Sequence, residues 1–187
     1  MPLSNDLAVL VTEIDANLSH ADSITHGLSH EQFNWRPEPG RWSIAECLGH
    51  LNLINGADLP QLQTSIDAAI AKSVKGEGPF QYGLIARKIV ASQEPPAKRK
   101  FKAPKKSQPP PDSSLDATVA EYRRISADLR ALIKKSEGLH LAKVKTKLSF
   151  VPIFRMPLGA RFNLLTTHDR RHLWQADQVR NHPNFPL

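Results

Sequence analysis

The stretch Leu115-Asp116-Ala117-Thr118-Val119-Ala120-Glu121-Tyr122-Arg123-Arg124-Ile125-Ser126-Ala127-Asp128-Leu129-Arg130-Ala131-Leu132-Ile133 decides the fold. Leu115, Val119, Tyr122, Ile125, Leu129, Leu132 and Ile133 recur at steps of three and four, which places them on one face of an α-helix. Capping side chains at 112–114 precede the stretch, and Gly138 follows it as a stop. The same period occurs elsewhere in the chain. From Asp6 to about Gly27 the buried face is Leu7, Leu10, Val11, Ile14, Leu18, Ile24 and Leu28, with Ala21 in the gap. Ser43 with Glu46 three residues on has capping-box spacing and starts a further helix, which runs to about Lys72 with a bend near Asn55 to Asp58 ahead of Pro60. Pro157 opens the last helix, whose stripe is Leu158, Phe162, Leu165, Leu173, Ala176 and Val179, and which ends near Asn181 before Pro183. Four amphipathic helices of this length predict an all-α four-helix bundle formed by residues 1–187 as one domain.

The connections are less regular. Leu28 to Arg41 has Ser29 in cap position and then Pro37, Pro39 and Gly40, which suits a structured connector with one short turn. A long loop, 74–112, joins helices two and three. Only Tyr82 to Ala91 reads as helical within it, and a connection of that length covers a site or dangles. Val144, Thr146, Leu148 and Phe150 alternate with lysines, which suits a short edge strand, while Pro152 weighs against a hairpin.

Composition narrows the function classes. At 187 residues and 40% hydrophobic content the chain can bury a real core, which excludes a disordered or fibrous protein. The single cysteine, Cys47, forms no internal disulfide, and the N-terminus lacks the basic-then-apolar pattern of a secretory leader, so a reducing, cytoplasmic setting is expected. No window reaches the ~18 uninterrupted apolar residues of a membrane span, and no membrane partner is expected. The net charge is +7, with much of it in Lys98, Arg99, Lys100, Lys102, Lys105 and Lys106, interleaved with prolines. That composition predicts an exposed loop. Nucleic-acid binding is not favoured, because Phe101 is the one aromatic there and no helix-turn-helix or zinc-finger spacing appears.

Eight histidines include two pairs spaced four apart. His26 and His30 straddle Gly27, where a helix is ending, so nothing fixes their relative orientation. His168 and His172 lie inside the last helix on one face, with Cβ atoms ~6 Å apart, and two imidazoles so placed converge on one ion. A third ligand is needed for a transition metal to be held with positions left open. His50 is the candidate, one turn after Glu46 on an inward face, with ordinary polar packing of the three histidines as the alternative; a buried histidine without a partner costs ~1–3 kcal/mol.

Two segments carry a family resemblance. Phe33-Asn34-Trp35-Arg36-Pro37-Glu38-Pro39-Gly40-Arg41-Trp42-Ser43-Ile44-Ala45-Glu46-Cys47-Leu48-Gly49-His50-Leu51 resembles the motif that opens the second helix of the DinB/YfiT-like superfamily. Thr167-His168-Asp169-Arg170-Arg171-His172-Leu173-Trp174-Gln175 is similar to that superfamily's H-x-x-x-H-L-x-Q run. The resemblance implies an up-down-down-up bundle and a divalent metal, zinc, nickel, manganese or iron, held by His50, His168 and His172. It also implies a metal-dependent enzyme, a hydrolase or a thiol transferase acting on a small-molecule substrate such as a low-molecular-weight thiol.

Neighbouring residues carry two readings each. Glu46 either orients a ligand or acts as a base beside the metal, or it is the cap of helix two. Gln175 hydrogen-bonds either a metal-bound water or another helix, and Cys47 is a packing residue rather than a nucleophile. Trp35, Trp42 and Trp174 are core anchors, with one of them at the pocket mouth. Arg170 and Arg171 hold an anionic substrate or form a solvated face. Phe154, Met156 and Phe162 are offered as an exposed apolar surface for a homodimer. The competing function is a non-catalytic scaffold or a nucleic-acid-associated stress protein with a structural metal or none.

Overall fold

The structure, a computed structural model, describes residues 3–96, 103–149 and 151–187. Among these residues the elements are α1 (Asn5–Thr25), α2 (His30–Asn34), α3 (Ile44–Ala71), α4 (Leu84–Ala91), α5 (Leu115–Lys135), β1 (Lys145–Leu148), β2 (Val151–Pro157) and α6 (Leu158–Arg180). The basic residues Lys98, Arg99, Lys100 and Lys102, with Phe101 and the strand position Phe150, lie outside the described residues.

Local chemistry sets the helix ends. The Ser43 hydroxyl accepts from the Glu46 amide, and the Glu46 carboxylate accepts from the Ser43 amide, a complete capping box at the start of α3. Ser29 and Gln32 form a second one at α2, the short turn expected in that connector. Gly27 and Gly138, just past α1 and α5, have φ of 72° and 77°, a region costly for residues with a Cβ. Pro60 lies inside α3, which runs through it.

The four long helices pack as a ring, α1 and α3 each lying against both α5 and α6. Asp15 pairs with Arg130 and Asp22 with Arg123, so α1 and α5 run in opposite directions. Glu13 pairs with Arg170 and His20 with Asp177, so α1 and α6 run the same way. Asn52 donates to the Thr118 carbonyl and Lys135 pairs with Asp67, which makes α3 parallel to α5. Asn55 to Asp169 and Asp58 to Arg161 make α3 antiparallel to α6.

The interior is apolar at both ends and polar between them. One cluster gathers Leu7, Leu10, Leu62, Ile66, Leu129 and Phe162. The other gathers Ala21, Phe33, Leu48, Leu51, Val119 and Leu173. Between them lie the buried polar residues Asn17, Asn55, Asp58, Arg161, Thr166 and Asp169. Burying polar groups is costly unless partners satisfy them. Asn17 donates to the Thr166 carbonyl at 3.0 Å, and the Ser149 amide and hydroxyl both donate to Asp58.

Two expectations need correction. β1 and β2 form an antiparallel hairpin, with Thr146 opposite Met156. It forms despite Pro152 because both strands are sheet edges, where a missing amide breaks no continuing ladder. Thr146 and Met156 both turn inward and are buried, which anchors the hairpin on the bundle. Met156 and Phe162 are therefore not an exposed dimer surface: both are 0% exposed, and Phe154 is half-buried against Met156, Ala160 and Leu164. Among the described residues no helix is long and apolar enough to cross a membrane.

Candidate metal centre

His50 sits in the second turn of α3 and His168 and His172 one turn apart on α6, so the antiparallel α3/α6 contact carries all three to one place. Their ring centroids lie 4.6–5.2 Å apart. One ligand nitrogen from each lies within 4.8 Å of the others. His26 and His30 do not make a second centre: both are exposed, and His30 pairs with Asp112 at 2.9 Å.

Hydrogen bonds select the nitrogen that two of the rings offer. The Ser107 carbonyl, 2.6 Å from His50 Nδ1, can only accept, so Nδ1 carries the proton and Nε2 keeps its lone pair. His172 Nδ1 donates to the Gln175 Oε1 atom at 3.2 Å, which leaves Nε2 of that ring with its lone pair too. Gln175 thus acts on the ring of His172, a neighbour on its own helix. His168 Nδ1 is enclosed and has no hydrogen-bond partner, an orphaned nitrogen of the kind that a metal site explains.

Electrostatics keep the rings neutral. Burial lowers the His50 pKa, opposed in part by the Ser107 hydrogen bond. Burial, then the neighbouring His172 and His50 and the charges of Arg161 and Arg171, hold His168 well below the usual imidazole range. His172 is pushed down to about 3 by burial, His50 and Arg171. Three neutral imidazoles with converging lone pairs fit a borderline divalent transition ion, and no carboxylate joins the cluster among the described residues.

The surroundings are equally specific. Trp42 packs its ring 4.9 Å from His50 and 5.6 Å from His172, so it is the tryptophan that walls the site. Trp35 instead packs tilted against His182 and edge-on against Phe185. Glu46 accepts from Arg36 at 2.6 and 2.8 Å as well as from the Ser43 amide, which commits Oε2 to the α3 cap and to Arg36 and Oε1 to Arg36. Cys47 is fully buried, and burial pushes its thiol pKa up. Arg170 bridges Glu13 of α1 and Glu94 after α4. Arg171 is buried and donates to the Ser92 carbonyl.

Sequence reasoning missed several residues around the ligands. Asp169, beside His168, is fully enclosed and accepts from Asn55 at 2.9 Å and from the Tyr122 hydroxyl at 3.1 Å. Burial raises its pKa to about 7, against the pull of those two donors. Asn55, Asp58 and Asp169 stand at positions where the helical period calls for apolar residues, a signal readable in advance. Ser107 had no such signal, because it acts through its backbone carbonyl.

The chain belongs to the DinB superfamily, whose family model matches residues 13–176. No curated protein and no solved structure matches it.

Proposed function

We propose that the chain is a metal-dependent enzyme, a hydrolase or a thiol transferase, built on a bundle whose four long helices run up-down-down-up. The cross-helix pairs between α1, α3, α5 and α6 support that arrangement. One observation carries the functional reading: His50, His168 and His172 converge as neutral rings, and two of them have Nδ1 held by an oxygen so that Nε2 is left for an ion. A divalent transition ion there, zinc, nickel, manganese or iron, supplies Lewis acidity and lowers the pKa of a water or thiol.

The protein's own groups do the rest. Gln175 orients His172, Trp42 excludes water from one side of the site, and the buried Arg171 biases the site toward anionic groups. Glu46 holds the start of α3, and with it His50, in place. A small-molecule substrate such as a low-molecular-weight thiol suits the site, and a cytoplasmic setting suits a chain whose one cysteine is a buried thiol. A homodimer would have to use apolar residues that are exposed, such as Leu84, Ile85 and Ile153.

Metal content tests the reading, measured on protein purified without a histidine tag. About one transition ion per chain, lost in both His50→Ala and His172→Ala, is the expected result and leads directly to a screen of thiol-transfer and hydrolysis substrates. No bound ion after incubation with zinc, nickel and manganese would sink it. Retained fold with lost activity in His168→Ala identifies a catalytic ion, whereas collapse of the fold identifies a structural one.

A further inference from the structure

The long connection between α4 and α5 returns to the bundle as a short strap before α5 begins. Lys105–Ser107 form a single 3-10 turn. The Ser107 hydroxyl donates to the Pro104 carbonyl at 2.9 Å, and the Gln108 side chain donates to the Ala103 carbonyl at 2.7 Å. These bonds close the strap on itself and aim the Ser107 carbonyl inward. Ser107 and Pro109 are buried while Lys105, Lys106, Gln108 and Pro110 are exposed, so alternate residues press onto the bundle.

The strap lands on α3 at Gly49. A Cβ built on Gly49 would lie 2.9 Å from Pro109 Cβ, closer than side chains tolerate, so the missing side chain is what lets the strap sit this deep. One residue further on, the His50 Nδ1–H meets the Ser107 carbonyl at 2.6 Å, and among the described residues that carbonyl is the one hydrogen-bond partner of the ring. Trp42 covers another side of the same imidazole.

We propose that the strap 103–109 is a positioning element of the metal centre: the Ser107 carbonyl fixes the tautomer and tilt of His50, so that Nε2 is presented to the ion before any ion arrives. The inference deepens the metal reading of this same site and rests on it for its purpose. The physical reason is that a ligating imidazole has two ring nitrogens and a free torsion, and an oxygen on the remote nitrogen removes both freedoms at once. His172 is held in the same way by Gln175, a side chain of its own helix. His50 has no such neighbour on α3, and a loop supplies the oxygen instead. Gly49 and Pro109 then form the lock, and Ser107 is the key placed by it.

The test uses the metal-free full chain and two variants, Pro109→Gly, which loosens the strap without touching α3, and Gly49→Ala, which lifts it. Long-range proton–nitrogen NMR reads which His50 nitrogen carries the proton, and zinc titration against a chromophoric chelator reads affinity. The wild type is expected to show the Nδ1–H form alone. Both variants are expected to show a tautomer mixture at His50 and zinc binding weaker by about 10–100-fold, the range found when an orienting partner of a ligand is lost. Should Gly49→Ala fail to fold, Pro109→Gly decides alone, since its change lies on the loop. An unchanged Nδ1–H form in the folded variants overturns the proposal. A wild type with the Nδ1–H form that takes up no zinc overturns the metal reading rather than the strap's hold on His50.

Discussion

Asn55 on α3 donates its side-chain amide to Oδ1 of Asp169 on α6 at 2.9 Å, one residue from the ligand His168. The bond crosses the polar middle of the bundle and ties together the two helices that supply the ligands. Asn55→Leu leaves the enclosed carboxylate with Tyr122 as its one remaining donor among the described residues. We predict a loss of about 1–3 kcal/mol in urea denaturation, the cost of a buried polar group deprived of its partner. A change under ~0.5 kcal/mol would show that the bond does not pin the helices.

Asp169 also makes a pH signature. Its pKa is raised from 3.8 to about 7, so folding favours its protonated form. That contribution is fully present below about pH 4 and is lost as the pH rises through about 7. Asp169→Asn lacks the titration. The stability of the wild type minus that of Asp169→Asn should therefore fall between pH 5 and pH 8 in the metal-free protein. A difference that stays flat, measured from denaturation midpoints at the two values, would contradict this account.

Neutral ligands predict a low proton yield on metal uptake. Three exposed imidazoles at pH 6 would release about two protons when an ion displaces them. Here burial lowers all three pKa values, that of His172 to about 3. Fewer than one proton per ion is expected, read by calorimetry in buffers of differing ionisation enthalpy. A yield of two or more would mean that the rings are charged before binding.

Glu46 separates a structural from a chemical role. Both of its oxygens serve the helix cap and Arg36. Glu46→Gln keeps an acceptor for the Ser43 amide and loses the charge, so about 0.5–1.5 kcal/mol of stability should go while metal content stays. Glu46→Ala loses the cap as well and should cost about 1–2 kcal/mol. Once a substrate is found, activity in Glu46→Gln within severalfold of wild type confirms the cap, and a loss of a hundredfold or more restores Glu46 as a base.

The two buried residues Cys47 and Phe162 have predictable silences. The Cys47 thiol should react with an alkylating reagent at pH 8 orders of magnitude more slowly in the folded protein than in urea, because burial disfavours its thiolate. Rapid labelling of folded protein would refute that. Phe162→Ala should cost about 3–5 kcal/mol through the cavity it leaves and should not alter the oligomeric state in light scattering. A shift in mass would return Phe162 to an interface.

Much of this protein was legible in its residues because helical periodicity is a local property. The apolar steps of α1, α5 and α6, the capping box Ser43 to Glu46 and the stops near Gly27 and Gly138 each depend on residues within a turn or two of one another. The pairing of His168 with His172 is local for the same reason, and the motif around His50 named its partner. Pro152 misled, because whether a proline breaks a strand depends on which edge faces a neighbour. Met156 and Phe162 misled likewise, since Met156 is buried where the hairpin folds onto α4 and α6, and Phe162 where α6 packs against α1 and α3.

The sequence by itself determined the helices, the face that each buries and the three histidines. Only the tertiary structure decided that Asn55, Asp58, Arg161 and Asp169 meet one another in the middle of the bundle, and that a backbone carbonyl 57 residues along the chain holds His50. The reason is physical: a side-chain pattern records the environment each residue needs, but it does not record which distant partner supplies it. A backbone oxygen leaves no trace in the residue types at all, so its role is visible only once the chain has folded over the site.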